Sequence, residues 1–165
     1  MAEIAQEEQE EKSYVGLGGW LILPLLLLFL TPLYLGYVLQ RDIFPIFLEG
    51  YWPLLTTPGE MAYDPMWAPL ILFQAVGKTL IAIFAIVLLV LFLYRSSALP
   101  KLFICFLLLS LAFAATDFYV AKQVRLFAGG IDIRAVQDVV AGAISLLIGV
   151  PYFLMSKRVR QTFVY

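Results

Sequence analysis

Four long apolar stretches fill most of this chain, at about residues 17–39, 68–93, 101–121 and 135–155. Each is close to the roughly 20 residues that carry a helix across about 30 Å of hydrocarbon. A soluble domain spreads its apolar residues at the period of its helices or strands, so that one face stays polar. Here whole blocks are apolar all round, which suits lipid as the solvent. In lipid the backbone must satisfy its own hydrogen bonds within the segment, so each block is expected to be a helix. The expected fold is all-α: a polytopic integral membrane protein with four transmembrane helices in a bundle. With 165 residues, 62% of them hydrophobic, little chain is left for a separate soluble domain.

The flanking segments complete the organisation. Residues 1–16 carry Glu3, Glu7, Glu8, Glu10 and Glu11 against Lys12. They lack the basic start of a secretory leader, so they are expected to form a disordered acidic cytoplasmic tail before an uncleaved first span. Residues 17–156 are the transmembrane domain, with an external loop at 40–67, and residues 157–165 form a basic cytoplasmic tail. Pro24 and Pro32 should each remove a hydrogen bond and kink the first span. The loop contains Pro45, Pro53, Pro58 and Pro65 together with Tyr51, Trp52, Tyr63 and Trp67, and its apolar segment Ile43–Leu48 could dip into the membrane interface.

Orientation follows from the bases. Of the 11 in the chain, Lys12, Arg95, Lys101, Lys157, Arg158 and Arg160 fall on the side of the termini. Arg41, Lys122, Arg125 and Arg134 fall on the other side, which also holds the acidic loop. Both termini are therefore expected in the cytoplasm. Lys157, Arg158 and Arg160 would anchor the last span at the inner interface and draw it to anionic lipid.

Composition narrows the chemistry. A net charge of −1 offers no general attraction for nucleic acid. The chain has no histidine and a single cysteine, Cys105, inside an apolar run, so neither a metal site nor a cofactor is expected. A catalytic triad lacks its base, and no glycine-rich phosphate loop is present. The expectation is a protein that is not an enzyme.

Lys78 and Asp117 are the exceptions inside the spans. An ionised side chain near the bilayer centre costs at least about 2.5–3.5 kcal/mol on insertion scales. At about 1.5 Å per residue, Lys78 lies roughly 15 Å and Asp117 roughly 6 Å from the outer ends of their spans. A lysine stem can snorkel, so the two heads could meet in the outer half of the membrane. Gln74 shares a helix face with Lys78. Ser110, Ala114, Asp117 and Ala121 form one stripe on the third span, and Asp138, Gly142, Ser145 and Gly149 form another on the fourth. Gln74, Lys78, Asp117 and Asp138 are thus the candidate buried polar cluster. Gly142, Ser145 and Gly149 are the candidate helix-packing residues, because small side chains let helices approach closely in lipid. The cluster is either a structural lock between helices or a polar cavity open to the outside. A lysine that merely snorkels to headgroups is a third reading.

Two terminal stretches carry a family resemblance: Gly18-Gly19-Trp20-Leu21 at the start of the first span, and Pro151-Tyr152-Phe153-Leu154-Met155-Ser156-Lys157-Arg158-Val159 with Thr162-Phe163 at the end. The chain resembles the bacterial four-helix inner-membrane proteins of domain-of-unknown-function family twenty-five sixty-nine. That resemblance implies a multi-pass protein of the bacterial inner (cytoplasmic) membrane and assigns no activity. The leading functional expectation is a small accessory or scaffold protein that binds another membrane protein or lipid. The alternative is a component of solute or ion transport that uses the Lys78 and Asp117 cluster. The glycine–serine stripe could equally join two copies in a homo-oligomer.

Overall fold

The computed structural model describes residues 19–124, 133–156, 159, 162 and 163, and every regular element among them is helical. A 3-10 turn at Gly19–Leu21 leads into α1, Ile22–Leu48. Next come α2 (Tyr51–Thr56), α3 (Trp67–Leu93), α4 (Leu99–Ala121) and α5 (Ile133–Met155). Helices α1, α3, α4 and α5 are long and apolar enough to cross a membrane, and no more than 17% of the apolar window of any of them is buried in the protein. Water does not tolerate apolar surface on this scale. These outward faces fit hydrocarbon, and the chain is a multi-pass membrane protein.

Helix α1 does not stop near residue 39, where the apolar run ends, but continues to Leu48. Its regular part, Ile22–Val38, passes into a π-helical turn at Leu39–Ile43 and then resumes at Phe44–Leu48. The wider π turn absorbs one extra residue per turn. It buries Leu39 and Ile43 while Arg41 and Asp42 stay exposed. Residues 40–48 therefore belong to a helix, not to the external loop. The loop proper starts at Glu49, and Gly50 at φ +79° makes the reversal into α2.

The two prolines of α1 behave differently. Pro24 sits in the first turn, where the missing N–H has no helical partner to lose, so it gives no reason for a kink. Pro32 is interior, and the neighbouring Thr31 hydroxyl donates to the Leu27 carbonyl at 2.7 Å. Between α2 and α3 the chain is pinned by Asp64, which is 5% exposed. One Asp64 carboxylate oxygen accepts the Met66 N–H at 2.9 Å, and the Trp67 indole N–H donates to the Ala62 carbonyl at 3.1 Å.

The packing follows chain order: α1 lies on α3, α3 on α4, and α4 on α5. Glycines set two of these contacts. A methyl at Gly77 of α3 would run into the ring of Phe113 on α4, a ring already stacked on Phe73 at 4.9 Å. On α5, Gly142 faces Leu111 and Gly149 faces Leu107, both on α4. The main apolar core, built around Leu28, Leu88, Phe92, Phe103, Phe106 and Phe153, occupies the end of the bundle near the α3–α4 turn. Val159 and Phe163 are buried in it, with Phe163 edge-on to Phe92 at 5.3 Å. At the opposite end, which holds α2, a smaller cluster centres on Leu70, Ala121 and Val124. The α2 end is the polar end.

Candidate functional site: a polar vestibule joined to an apolar cleft

Helices α1 and α5 make few close approaches to one another, and at the α2 end polar side chains bridge them. The Tyr34 hydroxyl donates to Asp138 across a long 3.5 Å, and Arg134 stands 3.6 Å from Asp42. Asp42 also lies 3.8 Å from the guanidinium of Arg41, which in turn donates to the Tyr37 hydroxyl at 2.8 Å. These ion pairs are largely exposed, with side-chain exposures of 39–65%. Water screens such pairs, so they contribute little to stability.

Behind this bridge lies a vestibule of about 500 Å³, walled by all four long helices. That volume falls within the roughly 300–1,000 Å³ of ordinary ligand pockets. Gln74, Lys78, Asp117 and Asp138, the four residues proposed from sequence, all line it. The Gln74 amide donates to Asp117 at 2.8 Å and ties α3 to α4. The expected Lys78–Asp117 ion pair does not form: among the described residues no carboxylate lies within 4.0 Å of the Lys78 ammonium. Gln74 sits one turn nearer the α2 end and reaches Asp117 first, because α3 and α4 run antiparallel and Asp117 lies near the end of α4.

A second chamber of about 200 Å³ continues towards the α3–α4 turn. It shares Tyr34, Lys78, Asp117 and Asp138 with the vestibule, so these four residues form a polar collar between the two. Its other walls are mainly apolar, including Leu27, Leu35, Ile81, Phe106 and Phe113. Ser110 lines this chamber, and its hydroxyl is buried without a hydrogen-bond partner among the described residues. A third space of about 370 Å³ follows, an open cleft between α1 and α5 with Phe103 and Leu107 of α4 on its floor. It shares Leu27, Leu107 and Ser145 with the second chamber. Tyr152 lines the cleft, and its buried hydroxyl is likewise unpartnered among the described residues.

Ser145 lines both apolar chambers, while Gly142 and Gly149 each line one of them and also lie against α4. Lys157, Arg158 and Arg160, the proposed interfacial anchor, lie outside the described residues. Tyr34, Tyr37, Arg41, Asp42 and Arg134 were not proposed from sequence. Tyr34, Tyr37 and Arg41 do follow a spacing of three and four residues, which is one helix face. That signal becomes readable only once α1 is known to continue past residue 39. Among the described residues, no three histidine, cysteine or acidic side chains converge as a metal site.

Comparison with known proteins adds one finding. No curated protein and no solved structure matches this chain. The family model described as "Protein of unknown function (DUF2569)" matches residues 14–164, nearly the whole chain, and the protein belongs to that family.

Proposed function

We propose that this is an accessory protein of the bacterial inner membrane that binds a single lipid-like amphiphile, rather than an enzyme. The observation that carries the reading is the collar of Tyr34, Lys78, Asp117 and Asp138, which joins a polar vestibule to apolar chambers. An amphiphile needs that juxtaposition: water-accessible hydrogen-bonding groups for a head, and an apolar slot for a chain. The slot opens between α1 and α5, which pack little against one another, so a chain could enter from the bilayer without unfolding anything. With the termini in the cytoplasm, as the distribution of bases favours, the vestibule faces the outer leaflet. A lipid held there would offer a composite surface to another membrane protein.

Native mass spectrometry of the full chain, taken from its own membrane in mild detergent, tests the proposal. The expected result is one retained lipid per protein. Lipid-free protein, with none regained when lipid is added back, would overturn it.

A transport component is the second reading, favoured by the same collar standing where a gate would stand. Solute or proton flux in proteoliposomes that disappears with Lys78→Met and Asp117→Asn would favour it over the accessory role.

A further inference from the structure

Resting on the amphiphile reading, the unequal partnering of charges around the vestibule assigns the headgroup. The three acids all have partners: Asp42 faces Arg41 and Arg134, Asp117 accepts from Gln74, and Asp138 accepts from Tyr34. Lys78 has neither a hydrogen bond nor an ion pair to a described residue, yet it is half-buried at the junction of two cavities. A half-buried ammonium whose neighbouring carboxylates, Asp117 and Asp138, are engaged by Gln74 and Tyr34 gains from a ligand anion in direct contact. The described lining balances three bases (Arg41, Lys78, Arg134) against three acids (Asp42, Asp117, Asp138), so Lys78 would hold an anionic headgroup by direct contact and not by an overall basic field.

The Ser110 hydroxyl supplies the second half of the argument. Ser110 precedes Asp117 by two turns of α4, about 10 Å along the axis. The residue lines the apolar chamber, and its hydroxyl, tucked against the protein, lacks a partner among the described residues and would turn outward to meet a ligand. A hydroxyl in that state costs free energy unless something accepts from it. We infer that the occupant is an anionic glycerophospholipid: its phosphate sits on Lys78, an ester carbonyl accepts from Ser110, and its acyl chains follow the cleft between α1 and α5. A detergent-like molecule with a neutral head would leave Lys78 unanswered. Free phosphate would satisfy Lys78 and leave both Ser110 and the cleft unused.

The test offers the delipidated full chain equal amounts of phosphatidylglycerol, phosphatidylcholine and diacylglycerol, and reads the bound species by native mass spectrometry. The expected result is phosphatidylglycerol held over the other two by at least about fivefold, as one charge-assisted contact allows. Lys78→Met should bring the ratio near one while total bound lipid persists, and Lys78→Arg should keep the preference. Lys78→Gln repeats the test if the methionine variant does not fold. Equal retention of all three lipids, or an unchanged ratio in Lys78→Met, would overturn the headgroup assignment and leave the amphiphile reading standing. Retention of none would overturn both. Displacement of phosphatidylglycerol by millimolar inorganic phosphate would mark a simple anion site and overturn the lipid assignment.

Discussion

Lys78 and Asp117 are adjacent in the cavity yet do different work. Asp117 is bound to Gln74, so it locks α3 to α4, while Lys78 stays available to a ligand. A double-mutant cycle separates the roles. Gln74→Ala and Asp117→Ala should show a coupling of about 0.6–1.7 kcal/mol, the range for hydrogen bonds between membrane helices. Lys78→Met and Asp117→Ala should couple by less than about 0.5 kcal/mol, measured by unfolding in detergent. A large Lys78–Asp117 coupling would restore the structural pair expected from sequence. The pairing was only partly legible in the sequence. Helix spacing brings Gln74 and Lys78 to one face, but which of them meets Asp117 depends on the relative axial position of α3 and α4, and tertiary packing sets that.

At the scale of the elements, glycine decides how closely α3 and α4 pack. Gly77 lies against the Phe113 ring, itself stacked on Phe73, so an added methyl must push the ring off Phe73 and into the second chamber that it borders. Gly77→Ala should cost about 1–3 kcal/mol, as overpacking does. Gly149→Ala meets only the flexible end of Leu107 and should cost less. Thermal unfolding of the two variants in one detergent checks the order, and a reversed order would refute this account of the contact. The π turn at Leu39–Ile43 is the other decisive element. It carries the helix past Val38, so that Arg41 and Asp42 join Tyr34 and Tyr37 along the vestibule wall. In the sequence the run Gln40-Arg41-Asp42 reads as the end of a span, because hydropathy registers polarity and not helix continuity.

For the whole molecule, the consequential feature is asymmetry. One end is a packed aromatic core that takes in Val159 and Phe163, and the other is a polar vestibule. The open side between α1 and α5 links them. Ser145 stands where the two apolar chambers meet, so Ser145→Phe should fill the slot and lower retained lipid severalfold. The fold should survive, since Ser145 borders space and not a packed neighbour. Lipid retention at the parent's level, by native mass spectrometry, would contradict the path proposed for the chain. Arg134→Ala breaks an exposed bridge and should change stability by less than about 1 kcal/mol in detergent unfolding.

The sequence by itself determined the solvent and the architecture. Runs of about 20 apolar residues have only one low-energy conformation in a bilayer, the helix, and four of them joined by short links make a bundle. It also singled out Gln74, Lys78, Asp117 and Asp138, because polar groups in apolar runs are conspicuous. Tertiary structure alone decided which of these meet, that Lys78 lacks an acidic partner among the described residues, and that α1 and α5 leave a cleft between them. Those outcomes rest on the depth and rotation of one helix against another. Side-chain shape at contacts such as Gly77–Phe113 sets both, and no periodicity within a single helix encodes it.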